Sequence, residues 1–458
     1  MKRLSLRELP PEIPPIEPFA FDRLDRKPSA DALTDLVTWA ATPLTLAIDG
    51  AWGAGKTTFL RMWAQQLRNR GLAAFYHNAW ENDFASDPFV AVATEIRAAL
   101  RDHCPTARLE ALTRRARQLV WRAGPRIAKA LARRLVDADD VSDAVAEALE
   151  DIAAERLRRY EHTKQDVDAF RGELARLAAE LEARRRPLPI VCLIDELDRC
   201  RPEFGIALLE DLKHIFGVPG FVFAIAVDKR QLGCSLRMLY GAEVDTEAYL
   251  RRFFDLEFRL PAAAVDAYVA ALLDRWDVPA ALEGRASRSA DEVHLREVLG
   301  GLAGVFHLSL RDAEKCVGRA MIALRSTGRE HGLHGVLLSA LLVLKLARPR
   351  LYEEFADGRI GARALLDEIA RRPGGHEFLD RSCGAALEAY LFLCQKQPRP
   401  DASPLARYLE QARDGSLGAS AQRRFRRKLA AFEETVEAGG EECLPNLHRR
   451  IELLDRFV

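Results

Sequence analysis

No uninterrupted apolar run in this 458-residue chain reaches the roughly 18 residues that a membrane-crossing helix requires. Neither sign of charge is in excess, with 68 basic and 68 acidic residues, so no overall field points to nucleic acid or to an anionic membrane. The eight cysteines (Cys104, Cys192, Cys200, Cys234, Cys316, Cys383, Cys394 and Cys443) contain no C-x-x-C pair. That argues against a zinc ribbon and a disulfide framework and leaves buried free thiols. Met1-Lys2-Arg3-Leu4 leads into prolines and acids instead of an apolar leader, so no signal peptide is expected and the expected location is cytoplasmic. No [NT]KxD guanine signature follows the apolar run ending at Val227, which counts against a GTPase. Isolated histidines such as His214 and His307 suggest only ordinary packing.

What is present starts with 48% hydrophobic residues, ample for the cores of about two or three domains. The decisive run is Gly50-Ala51-Trp52-Gly53-Ala54-Gly55-Lys56-Thr57, directly after the apolar Leu44-Thr45-Leu46-Ala47-Ile48 and directly before a helical pattern. Strand, glycine-rich turn and helix in that order form the context of a P-loop. Its backbone N–H groups cradle phosphate oxygens at the positive end of the helix, with Thr58 closing the run. Lys56 is expected to reach the β- and γ-phosphates of ATP, and the hydroxyl of Thr57 to ligate Mg²⁺.

Along the chain, residues 1–19 form a proline-rich, extended lead-in. A helix is expected over about Ser29–Ala41, capped by Ser29 or Asp31. Ala73–His77 is a second buried strand, and Asp87-Pro88 opens another helix. Residues 101–186 are charged and helical with no strand signal. Inside them, 111–134 carry Arg114, Arg115, Arg117, Arg122, Arg126, Lys129, Arg133 and Arg134 and no acid. Val167, Phe170, Leu174, Leu177 and Leu181 make a single apolar stripe, read as packing on the domain's own core. Strand character returns at Ile190–Ile194 and Phe221–Val227 as continuous apolar runs, the pattern of strands buried on both faces of a parallel sheet. From Pro261 onward only helices are expected. The fold class is therefore α/β: a three-layer P-loop core with a parallel sheet, a long helical insertion before the third strand, and an all-helical region over 262–458.

The strand Ile190–Ile194 ends in Asp195-Glu196, the apolar strand and acids of a Walker B element. Asp195 is expected to hold Mg²⁺ through water or Thr57, and Glu196 to polarise the water that attacks the γ-phosphate. The longer segment Ile194-Asp195-Glu196-Leu197-Asp198-Arg199-Cys200 is more specific than a bare Walker B. With the tryptophan-containing Walker A, Asn78-Ala79-Trp80 after the second strand, Leu208-Leu209-Glu210, Phe221–Asp228, and Tyr249-Leu250-Arg251-Arg252-Phe253-Phe254 to Leu260-Pro261, it resembles the KAP family of P-loop NTPases, relatives of the STAND and AAA+ ATPases. The likeness covers roughly residues 20–261. It departs from the family's usual Asp-Asp at Walker B. It departs again at the insertion, where many relatives carry transmembrane helices and this chain is arginine-rich.

The resemblance implies a Mg²⁺-dependent, slow ATPase switch that couples nucleotide state to a protein partner, with roles in bacterial signalling or phage defence. It also implies finer roles, each with a plainer reading beside it. Asp228 is a γ-phosphate sensor or a helix cap. Arg251 or Arg252 is an arginine finger, perhaps across the interface of a nucleotide-dependent homo-oligomer, or a surface charge. Arg311, in Ser309-Leu310-Arg311-Asp312, resembles a second sensor that touches the nucleotide. The alternative function is a nucleic-acid-associated motor or loader that uses residues 111–134; a membrane-surface helix anchored by Trp121 ranks below it. The insertion is expected to be a helical docking protrusion, dispensable for ATP binding, that feeds straight into the Walker B strand.

Overall fold

The computed structural model describes residues 12–84, 87–123, 143–285, 288–326, 333–394 and 443–454, with isolated positions between 423 and 434. The chain divides into two units after Pro261. In the first, five parallel strands form one sheet in the order β2-β3-β4-β1-β5: β1 Leu44–Asp49, β2 Ala74–Asn78, β3 Ile190–Asp195, β4 Phe221–Val227 and β5 Leu256–Arg259. Every residue of β3 and β4 is buried, which is why both read as unbroken apolar runs. One face packs Leu33, Val37, Phe59, Leu60 and Trp63, from helices α1 (Lys27–Trp39) and α2 (Lys56–Asn69), against Leu46, Ile48, Leu193 and Ala224. The other face carries a larger core built around phenylalanines. Helices on both faces make the three layers.

Two expectations need correcting. Helix α1 begins at Lys27, two residues before the expected Ser29 start, and neither Ser29 nor Asp31 caps it. Pro28 sits in the first turn, where its missing N–H costs nothing, and the Asp22 carboxylate accepts the N–H groups of Arg26 and Lys27. Strand β5 was not legible: Leu256-Glu257-Phe258-Arg259 is a mostly exposed edge of four residues with no apolar run.

The insertion also differs from the expected protrusion. After helix α3 (Pro88–Ala99), whose N-cap Asp87 accepts the Phe89 N–H at 3.0 Å, come α4 (Thr106–Ala123) and the 41-residue α5 (Asp143–Ala183). Cys104, Leu109, Leu112 and Leu119 are buried in the same core as Phe170, Leu174, Leu177 and Leu181. The rings of Phe89, Phe170 and Phe216 meet pairwise at 4.9–5.7 Å between centroids. Both ends of the insertion thus help cover one face of the sheet, as the apolar stripe of α5 implied for its own half. The basic segment's residues 124–134 lie outside the described residues.

The second unit, from Ala262, is helical throughout its described residues. Its centre is the helix Gly335–Ala347, apolar on every side and buried from Gly335 to Leu344, as a helix surrounded by others must be. Among the described residues no disulfide joins the cysteines; six of them are buried and Cys234 is exposed. No described helix is long and apolar enough to cross a membrane.

Phe170→Ala should destabilise the first unit by about 3–5 kcal/mol, the usual range for deleting a buried aromatic side chain. A denaturant midpoint unchanged by the substitution would return the insertion to the status of an appendage. His77 on β2 is buried with neither ring nitrogen hydrogen-bonded, and burial lowers its pKa from 6.5 to about 4. The unfolded chain therefore takes up this proton first: the contribution is fully present above pH 6.5 and is lost as pH falls through 4. His77→Leu should flatten the fall of thermal midpoint between those pH values.

Candidate functional site

All the singled-out acidic residues of the first unit lie at the carboxyl ends of neighbouring parallel strands, where α/β sheets bind their ligands. β1 runs into the loop Gly50–Gly55 and then α2. Gly53 and Gly55 have φ of 78° and 85°, left-handed values that a side chain would strain. Gly50 N–H donates to Val227 O at 3.0 Å, tying the loop to β4. Among the described residues, the N–H groups of Gly53, Gly55, Lys56, Thr57 and Thr58 donate to no protein acceptor. That is a row of donors at a helix start, the arrangement that suits a polyphosphate. Lys56 is buried, and its ammonium donates back to the carbonyls of Gly50 at 2.5 Å and Ala51 at 3.3 Å.

The loop is held by carboxylates from two other strands. Asp198, in the single turn Leu197–Arg199 just after β3, accepts the Trp52 indole N–H at 2.6 Å and the Asp228 main-chain N–H at 3.0 Å through the same oxygen. Asp228, after β4, accepts the Trp52 main-chain N–H at 3.2 Å. Its other oxygen accepts the Arg230 N–H at 3.1 Å, capping the helix Lys229–Tyr240. Asp228 is therefore both the cap that the plainer reading expected and a support of the P-loop. Burial pushes the Asp198 carboxyl up, while the charge of Lys56 and the Trp52 hydrogen bond pull it down. From behind, buried Arg26 donates to the Ala54 carbonyl at 3.4 Å and to the Pro261 carbonyl at 2.5 Å.

At the end of β3 the two acids part. Asp195 is buried and accepts the Tyr76 hydroxyl at 2.8 Å and the Glu196 N–H at 2.9 Å. Glu196 takes a left-handed backbone, φ 56°, which turns its side chain away from the strand's alternation. Its carboxylate pairs with Arg199 at 2.9 Å and accepts a long hydrogen bond, 3.5 Å, from the Asn78 amide. Asn78 in turn donates to Glu81 at 2.9 Å, and the Arg199 guanidinium lies 5.7 Å from the Trp80 ring centre. Burial raises the Glu196 pKa; Arg199 opposes this and Asp195 adds to it.

The expected site residues Gly50–Thr58, Asp195, Glu196 and Asp228 are thus brought to one edge of the sheet. Arg251 and Arg252 are exposed, and Arg252 lies 5.6 Å from the Tyr249 ring centre. Arg311 is exposed at the second residue of the helix Leu310–Ser326 in the other unit. The parts played by Asp198, Asn78, Tyr76, Arg199 and Arg26 were not assigned from sequence. The conspicuous Asp198-Arg199 after Walker B and Asn78 before Trp80 were the signals available.

The KAP family P-loop domain matches residues 26–329, well over half of the chain. The chain belongs to the KAP family of P-loop NTPases. No curated protein matches it. Solved structures similar to it include the ORC2 protein of Aeropyrum pernix, in ADPNP–ADP complexes, at 14% identity over 94% of this chain and 98% of that one, with a TM-score of 0.36. Another is AMPPCP-bound DnaA of Aquifex aeolicus, at 14% identity over 94% and 91%, with a TM-score of 0.22. Likenesses this distant carry no argument about the activity of this KAP protein.

In this KAP domain, Arg199 is the charge that most lowers the Glu196 pKa. Arg199→Gln should raise that pKa further, so the carboxylate is lost at a higher pH. The acid limb of the kcat–pH profile should move up in pH. A limb that stays in place would mean that it reports another group.

Proposed function

We propose that this KAP protein is a Mg²⁺-dependent ATPase that works as a switch, binding ATP at Gly50–Thr58 and passing its nucleotide state to a protein partner. The observation that carries the reading is the set of N–H donors of Gly53 and of Gly55 to Thr58, unclaimed among the described residues, with the Lys56 ammonium beside it. Phosphate oxygens would take these donors and draw Lys56 from the carbonyls of Gly50 and Ala51. Mg²⁺ fits the donor set of a hydroxyl at Thr57 and a carboxylate at Asp195, since this ion keeps waters and phosphate oxygens and needs few protein ligands. When bound, it would neutralise charge on the phosphates. Glu196 would hold and polarise the attacking water, and Arg199 and Asn78 would set its orientation. Asp228, fixed against Trp52, would act as the γ-phosphate sensor. Arg252, or Arg251, would act as a finger across a homo-oligomer interface, and Arg311 as a second sensor. An output in bacterial signalling or phage defence is part of the same reading on the family's account alone.

Lys56→Ala should abolish ATP binding by calorimetry, because the cation beside the phosphates is gone. Glu196→Gln should bind Mg·ATP with unchanged affinity and turn it over about 10²–10⁴-fold more slowly, the usual loss for a positioned base. Equal affinity in wild type and Lys56→Ala would remove the nucleotide site; equal turnover in Glu196→Gln would remove Glu196 as the base.

A further inference from the structure

The two side chains suited to Mg²⁺ stand on different elements, Thr57 at the start of α2 and Asp195 at the end of β3. Tyr76 of β2 connects those elements. Its hydroxyl donates to Asp195 Oδ2 at 2.8 Å, and the Arg61 guanidinium of α2 lies 4.9 Å from its ring centre. Arg61 follows Thr57 by four residues, one turn further along the same face of α2. Strand alternation explains the contact. β2 and β3 are parallel neighbours, with Tyr76 level with Leu193 and Asn78 level with Asp195. Tyr76 and Leu193 pack in the core that α2 covers, and Asp195, two residues on, points to the same face. Tyr76 and Asp195 are thus diagonal neighbours, at a spacing that an aromatic side chain spans.

We propose that Tyr76 is a positioning residue for the divalent cation: its hydroxyl holds Asp195 in the orientation that Mg·ATP requires. The proposal rests on the reading of Gly50–Thr58 and Asp195 as a Mg·ATP site. A phenylalanine would pack against α2 with the same ring. What the tyrosine adds is one O–H, and that O–H goes to the Walker B acid. The other oxygen of Asp195 accepts the Glu196 N–H at 2.9 Å, so each oxygen takes one hydrogen bond and the plane of the buried carboxylate is fixed. An ionised carboxylate has about four lone-pair sites, which leaves acceptor capacity on both oxygens for a metal-bound water or the Thr57 hydroxyl. Carboxylates that serve a metal are themselves hydrogen-bonded, and losing such an outer partner typically costs about 10–100-fold in metal affinity. Without the hydroxyl, Asp195 would keep only the donor of its own neighbour, and its second oxygen would lose its direction.

The test is calorimetry of the full chain with ATP, once at saturating Mg²⁺ and once in EDTA. The ratio of the two affinities isolates what the cation contributes. In Tyr76→Phe the affinity in EDTA should equal that of the wild type, while the ratio should fall about tenfold or more. Asp195→Asn should lower the ratio as well. Tyr76→Phe added to Asp195→Asn should lower it no further, because the hydroxyl acts through that carboxylate. A hydroxyl that only staples β2 to β3 would weaken both affinities together and leave the ratio where it was. An unchanged ratio in Tyr76→Phe therefore overturns the proposal, and so does an equal further loss in the double variant. The wild type separates this failure from that of the underlying reading. ATP affinity that is the same with Mg²⁺ and with EDTA would remove the cation site itself, and the role of Tyr76 with it.

Discussion

One buried carboxylate, that of Asp198, sets the geometry of the nucleotide edge. A single oxygen of it takes the Trp52 indole N–H at 2.6 Å and the Asp228 main-chain N–H at 3.0 Å, joining the loop after β1, the turn after β3 and the end of β4. Hydrogen bonds to a charged acceptor are stronger than neutral ones, and removing one partner from a buried group costs more than the bond itself contributes. Burial alone would favour the protonated carboxyl, and the nearby Lys56 charge opposes that. The Lys56 ammonium and the carboxylate that fixes the loop therefore depend on each other. A change in the position of Lys56 alters the field at Asp198, and through Asp198 it bears on β3 and β4 together.

The strands were legible because their burial leaves a plain mark. β1, β3 and β4 are covered on both sides, so nearly every residue in them is apolar, and the acids appear only where the strands end. β5 left no mark because an edge strand of four residues needs no apolar run. The insertion was misread for a related reason. Charge along a helix reports its solvent side, and α4 has a charged side as well as Leu109, Leu112 and Leu119 in the core. A stripe of three leucines in an arginine-rich helix is easily outweighed when composition is read as a whole.

Individual roles were legible to the extent that they depend on local chain geometry. Gly53 and Gly55 occupy left-handed conformations that the P-loop pattern demands, and Lys56 follows directly at the helix start. Asp198, Asn78 and Arg26 act across separations of 28 to 235 residues, and no spacing rule connects Asp198 with Trp52. Family membership reaches further than the sheet. The matched region runs to residue 329, past the division after Pro261 and through Arg311. The helices from Val265 to Ser326 therefore belong to the same inherited module as the P-loop, although they build a separate core.

Glu196 sits between opposing constraints. Its left-handed backbone is a conformation that a side chain adopts only under compensation, and its carboxylate is paired with Arg199 while the Asn78 amide touches it at 3.5 Å. The guanidinium lowers the basicity of this carboxylate, while burial, the larger effect, raises it. Asn78 divides its amide between Glu81 and Glu196, and Arg199 lies between Glu196 and the Trp80 ring. Trp80 is half-exposed on the loop that follows β2. Anything that engages this loop from outside would draw on the same two side chains, Asn78 and Arg199, that hold the Glu196 carboxylate.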